Sequence, residues 1–382
     1  MSGAISSTEL RESIHVMLEA ESGWSLIRGE ADEQVRARAE LWQKITSLGW
    51  LGIVIPEQYG GLGLDVSHLS LLYEELGQFL TPLPVTATLL CAQALLLAGT
   101  DAQKSRWLPP IARGELRASL VLPTAAVDLP RLGDDRTLRG DIHDVLDGDR
   151  VDVIFVPVED SAERLYLAIV GKEDPGVQIG PRPVIDLTRS LAEVRFAHAP
   201  IDAERLLPLD AATWTALLDH ASLAIASDAA GGATRILADT VAYLGVRRQF
   251  DRPIGAFQAL KHRAASWKIA VEAVCAFTRH CADSMREGNA ASSAAASAAK
   301  ASATETYVKV AGDAVQLHGG IGFTWEHECH LFLKRAMLDA ALFGSVMQHK
   351  DRAAELGFDR ALGPRPKKHE QAAVQRFFSR PD

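Results

Sequence analysis

Cysteine is scarce in this chain: four occur in 382 residues, at positions 91, 275, 281 and 329, with no CxxC spacing. That excludes a disulfide framework and points to a reduced, cytoplasmic setting. No apolar run is long enough to cross a bilayer, and the start, MSGAISSTELRESIHVML, carries acids early. It reads as neither a signal peptide nor a membrane span. Positive charge is not in excess either. The net charge of −9 argues against nucleic acid or an anionic membrane surface as a partner. A nucleophile elbow, a Walker loop and a Rossmann fingerprint are also missing.

The chain is long enough to bury a large core, with 47% hydrophobic and 23% charged residues, and should divide into two or three domains. Residues 1–116 read as helices. ELWQKITSLGWLGIVIPEQYGGLGLD holds one, broken at Pro56 and at Gly60, Gly61 and Gly63; LSLLYEELGQFL and VTATLLCAQALLLAGT hold two more. Residues 117–208 change to short β-rich runs such as VDVIFVPV and RLYLAIV between Gly, Asp and Pro turns, a compact β-barrel domain. Residues 209–363 are helical again. Phe257, Leu260, Ala264, Trp267, Val271 and Val274 recur in steps of three and four, the seam of an antiparallel four-helix bundle. The alanine-rich NAASSAAASAAKASATE is read as a helix rather than a linker. Residues 364–382 form a basic tail with adjacent Phe377 and Phe378, either frayed or docked on a neighbouring subunit.

Two stretches carry the most information. QLHGGIGFTWE (316–326) sets Gln316 beside Gly319, Gly320 and Gly322, so that backbone can approach a ligand closely. RRQFDRPIGAFQ (247–258) is an Arg-x-x-Phe, a Pro-Ile turn and a Phe-Gln pair opening a helix. Together they resemble the flavin-binding signature of the acyl-CoA dehydrogenase family. LGWLGIVIPEQYGGLGL, YEELGQFLTPLP, GTDAQKSRWLPPIARGE and DLTRSLAEVRFAHAPI resemble further family segments in the right order, so the likeness runs over residues ~10 to 360.

The resemblance implies a mainly α fold with a central β-domain, FAD as cofactor and an acyl-CoA substrate. It also implies a flavin held by two subunits: the β-domain and last helix of one grip the ring, and the bundle of the other reaches the pyrophosphate and adenine. The second half of that kit is present. Arg247 matches the pyrophosphate arginine, a charge suited to phosphate. Phe250 and Gln258 match the aromatic and the glutamine, and Gln316, Gly319 and Gly320 match the adenine side. Asp251 departs from the family, which has glycine there. The ring-facing half is eroded. LVLPTAAVD offers only Thr124 as a hydroxyl, and the Trp-Ile-Thr slot falls on Asp144, Val145 and Leu146. Ser345 keeps one hydroxyl near the end of the bundle.

The two positions that supply the base in most of the family fall on Phe343 and Ala221. Neither side chain accepts a proton. Asp228 is the remaining candidate, two turns beyond Ala221 on the same helical stripe, though ~10 Å away along the axis; its other reading is a structural acid paired with an arginine. Asp219 falls on another face. WEHECH (325–330) holds Glu326, His327, Cys329 and His330, but no second cluster completes a metal site, so no metal is expected. The asymmetry leads to one expectation: a subunit that completes the flavin site of a paralogous acyl-CoA dehydrogenase chain in a heterotetramer, acting on a bulky, steroid-like CoA thioester. The alternatives are a self-sufficient homo-oligomer using Asp228, a non-enzymatic scaffold, and a flavoenzyme of other chemistry such as oxygen activation.

Overall fold

Capping and glycine placement decide where the first helices begin and end. In this computed structural model, which describes residues 6–28, 30–124 and 128–361, Ser6 and Glu9 form a reciprocal capping box on α1 (Ser7–Glu21). Then come α2 (Ala31–Ser47) and α3 (Val66–Gln78), the latter capped by Asp65, followed by α4 (Val85–Ala98). Thr100 and Gln103 cap α5 (Asp101–Ala112) in the same reciprocal way. Ile14, Leu18, Leu41, Ile45 and Leu72 from the first three helices share one core.

The middle of the chain is a single sheet. Its strands are β1 (Ala118–Leu120), β2 (Arg131–Leu132), β3 (Thr137–Leu146), β4 (Val153–Asp160), β5 (Leu165–Gly171), β6 (Val177–Arg182), β7 (Leu191–Pro200) and β8 (Leu206–Pro208). The order is β6-β7-β3-β2-β4-β5-β8, with β1 parallel to β4. Among the described residues no ladder joins β6 to β8, so the expected barrel is not closed by hydrogen bonds. β4 reads as a nearly continuous buried run, as a strand covered on both faces must.

The C-terminal part opens with α6 (Ala211–Val246), 36 residues long. A small hairpin of β9 (Arg248–Gln249) and β10 (Arg252–Pro253) follows. Then come α7 (Gln258–Arg286), α8 (Ser292–His318), the shorter α9 (Cys329–Ala341) and α10 (Val346–Ala361). The alanine-rich stretch is indeed helix: Ala296, Ala299, Ala301 and Ala303 are buried in α8. α3 crosses α6 through glycine, since a Cβ at Gly231 would lie 1.8 Å from the Glu74 carbonyl oxygen. The α7 seam is graded. Val271 and Val274 are buried, whereas Phe257, Leu260, Ala264 and Trp267 are only half-buried. All four cysteines are buried and free. No helix among the described residues is long and apolar enough to cross a membrane. The basic tail lies outside the described residues.

Candidate functional site

One end of the bundle collects the residues expected to meet the pyrophosphate and adenine. Tyr243, near the end of α6, stacks on His318, the last residue of α8, with ring centroids 4.4 Å apart, and its hydroxyl donates to the His318 carbonyl. That contact sets the 247–258 hairpin beside the 316–320 turn. Arg247 caps α6 with its backbone; its side chain is exposed and makes no hydrogen bond or ion pair among the described residues. Gln258 and Gln316 are exposed as well. Gly319 sits at φ +65°, ψ −143°, which only glycine adopts readily. Nothing lies within 4 Å of a Cβ built at Gly319 or Gly320, so this backbone is open to an approaching group.

The hairpin tip has the backbone that glycine would suit at position 251. Phe250 and Asp251 have φ of +53° and +61°, the mirror-image turn that favours glycine or asparagine. Arg248 Nη2 donates to the Asp251 carbonyl at 2.6 Å, and Phe257 meets Phe250 edge-on at 6.1 Å. Phe250 is 84% exposed. Val246, Phe323 and Trp325 are exposed large hydrophobics on nearby segments.

The side expected to face the flavin ring is different. Asp144 sits at φ +58° in the irregular stretch between Ile142 and Val145 and is paired with Arg182 at 2.6 Å. Leu146 is buried with Ala87, Ile225 and Leu342, and Phe343 packs against this cluster. Ala221 is fully buried, and Phe343 packs against its cluster too. Both positions expected to carry the base from the family resemblance are thus taken up by apolar packing. Thr124 does come to this place: its carbonyl accepts from Gln348 Nε2 at 3.1 Å. Ser345 is exposed and N-caps α10, its Oγ accepting from the Gln348 backbone N–H.

The turn bearing Phe343 is held by two residues that sequence reasoning missed. Phe343 has φ +52° and Gly344 has φ +109°, so the turn is strained at a bulky residue. His349 Nε2 donates to the Phe343 carbonyl at 2.8 Å, and Lys300 Nζ donates to the Gly344 carbonyl at 2.5 Å. Both donors are buried. Burial pushes His349 down to about 4 and Lys300 down to about 8, the nearby Asp339 partly opposing it for the lysine. A single lysine inside an alanine run was the available signal for Lys300.

Asp228 lies within a buried charge network rather than free for proton transfer. Arg335 holds both of its oxygens, Nη2 on Oδ1 at 2.6 Å and Nε on Oδ2 at 3.1 Å. Arg189 adds a contact at 3.1 Å and also reaches Asp339. Arg335 Nη1 continues to Thr188, whose N–H and hydroxyl donate to Asp186. Burial raises the Asp228 carboxyl, but the two guanidiniums outweigh it and hold it below the ordinary carboxylate value. Asp339 goes the other way, raised by burial and by Asp228. A base needs a raised pKa and an open oxygen; Asp228 has neither, and its structural reading fits better. Asp219, half a turn before Ala221, is likewise paired, with Arg352 at 2.7 Å and with Ser293. The WEHECH side chains disperse: His327 Nδ1 accepts from the Cys329 backbone, and His330 stands beside Arg28.

Comparison with known proteins agrees with this architecture. Residues 7–115 match the acyl-CoA dehydrogenase N-terminal domain and residues 210–355 the acyl-CoA dehydrogenase C-terminal domain. Acyl-CoA dehydrogenase IpdE2 of Mycolicibacterium smegmatis is 31% identical over 88% of this chain and 93% of its own length. Among solved structures, a Tcur3481–Tcur3483 steroid ACAD variant superposes with a TM-score of 0.82 at 25% identity, covering 93% of this chain and 98% of that one. The ChsE4–ChsE5 complex of Mycobacterium tuberculosis gives a TM-score of 0.82 over 96% and 99% of the two chains; at 23% identity it speaks for the fold alone.

Proposed function

This chain belongs to the acyl-CoA dehydrogenase family, and from that premise we propose that it is the co-catalytic subunit of a heteromeric enzyme. FAD is the cofactor of this family, and when bound it would supply the acceptor for the hydride leaving the acyl β-carbon as an acyl-CoA is oxidised at its α,β bond. Only half of the residues needed to hold it fit in this chain. Arg247 would meet the pyrophosphate, and Gln316, Gly319 and Gly320 would lie along the adenine, with Phe250 and Gln258 flanking them. The ring-side half does not fit: Asp144 replaces an aromatic residue, and Leu146 is packed where a hydroxyl is needed.

The observation that carries this reading is the contrast between two places in one chain. Positions 221 and 343 are closed by alanine and phenylalanine in apolar packing, while Arg247, Gln316 and Gly319 stand open to a neighbour. A paralogous acyl-CoA dehydrogenase chain would supply the ring site and the base, and this chain would complete its cofactor site. A heterotetramer is the assembly proposed. The likeness to a protein named as a steroid ACAD supports a bulky, steroid-derived acyl-CoA as the substrate.

Absorbance spectra of the chain purified alone, and with the paralogous subunit, test the proposal. A colourless chain and a yellow complex with one flavin per pair are expected. A yellow chain with one flavin per protomer that turns over acyl-CoA would overturn it and restore a self-sufficient enzyme.

A further inference from the structure

The Gly319–Gly320 backbone is open, and an open backbone cannot brace itself. No described atom lies within 4 Å of a Cβ built at either glycine, so the residues behind them set where they stand. Gly319–Phe323 is a short 3-10 turn folded back on the end of α8. A Cβ at Gly322 would lie 2.8 Å from the Val315 carbonyl oxygen and 3.1 Å from His318 Cβ. His318 is the pivot of this turn. Its imidazole is buried, and Nδ1 donates to the Ala314 carbonyl at 2.8 Å, which fixes the ring's tautomer and orientation.

Two aromatic rings hold that imidazole. Tyr243 of α6 stacks on it, with centroids 4.4 Å and planes 25° apart. His327, from the turn before α9, has its centroid 4.6 Å away at 55°. His327 is itself tied, its Nδ1 accepting from the Cys329 N–H at 3.1 Å. The Tyr243 hydroxyl adds only a long bond, 3.3 Å, to the His318 carbonyl, so the ring contact is the larger part of the hold.

The same tyrosine fixes the arginine. Its backbone carbonyl accepts the Arg247 N–H at 2.9 Å where α6 ends, and the Arg247 carbonyl accepts the Ile254 N–H at 2.8 Å. A Cβ at Gly255 would lie 2.9 Å from the Leu244 carbonyl oxygen, so the segment after the hairpin is pressed on the residue next to Tyr243.

We propose that Tyr243 is a positioning residue for the cofactor: through the His318 ring it fixes the Gly319–Gly320 backbone at a set spacing from Arg247. His327 acts with it, which gives the WEHECH stretch a role other than metal binding. Two contacts on one ligand add in full only when their spacing is set before binding; otherwise ordering them subtracts from affinity. The inference rests on the co-catalytic reading above and names the residue on which its geometry depends.

The test is an FAD titration of the flavin-free complex of this chain with the paralogous subunit. Tyr243→Leu should weaken FAD about tenfold, the worth of one aromatic pair, with turnover at saturating FAD within about twofold of the parent. Tyr243→Phe, which keeps the ring, should restore the affinity. His327→Ala should act in the same direction, and it serves if Tyr243→Leu fails to fold. In the chain alone, amide hydrogen exchange over residues 316–322 should quicken in Tyr243→Leu, while the bodies of α6 and α8 stay protected. Unchanged FAD affinity in both Tyr243→Leu and His327→Ala overturns the proposal. So does faster exchange throughout α6 and α8, which would make the residue a general stabiliser. Arg247→Ala separates the two levels. If it weakens FAD and Tyr243→Leu does not, the positioning role alone fails. If Arg247→Ala leaves FAD affinity unchanged, the co-catalytic reading fails and this inference falls with it.

Discussion

At the scale of residues, the decisive fact is what surrounds each ionisable group. Asp228 stands on an apolar stripe, and the sequence alone leaves two readings, a base with a raised pKa or, the more favoured, a structural acid. Arg335 and Arg189 favour the second reading, because two guanidiniums stabilise the charged carboxylate more than burial disfavours it. Asp228→Asn should therefore cost stability, about 3–5 kcal/mol for removing one partner of a buried pair. Turnover per folded complex should hardly change; denaturant melts and a kcat measurement on the proposed heteromer check this. Lys300 has a folded value near 8, below its unfolded one near 10.5. Between those values the unfolded chain binds more protons, so stability should rise as pH rises from about 8 to about 10.5. In Lys300→Met that rise should be missing from melts across the same range, and an unchanged slope would show that Lys300 is not neutralised by the fold.

At the scale of elements, close packing and turn geometry decide what the chain tolerates. α3 meets α6 at Gly77 and Gly231, where backbone touches backbone, and this contact also places Asp228 deep in the structure. The β9–β10 hairpin is the opposite case, a strained tip on an exposed loop. Asp251→Gly should relieve the positive φ and stabilise the chain by roughly 0.5–1 kcal/mol. It also removes an acid near Arg247, so flavin occupancy of the heteromer should rise, read as the ratio of flavin to protein absorbance. A fall in both quantities would mean that the Asp251 carboxylate makes a needed contact across the interface.

At the scale of the whole molecule, the bundle end is too apolar to be a finished surface. Val246, Phe250, Phe323 and Trp325 are 57–84% exposed in the single chain, and in the first half of α7 even the inward Leu260, Ala264 and Trp267 are only half-buried. Such a patch marks an interaction site. Binding the paralogous subunit should bury Trp325 and shift its fluorescence to shorter wavelength, and Trp325→Ala should abolish that shift. A shift that persists in the variant would place the interface elsewhere on the chain.

The order of helical, sheet and helical parts, the α8 helix in the alanine run and the family itself were legible in the sequence. They depend on local period, on turn residues and on motif order along the chain, all of which are one-dimensional. That positions 221 and 343 carry alanine and phenylalanine was legible for the same reason. What only the tertiary structure decided is the company each residue keeps. Arg189 and Asp228 are 39 positions apart and Asp228 and Arg335 are 107 apart, and no periodicity links them. Lys300 and His349 reach the Phe343–Gly344 turn from two different helices. Electrostatics acts through space, so the state of Asp228 exists only once folding has set its neighbours within a few ångströms.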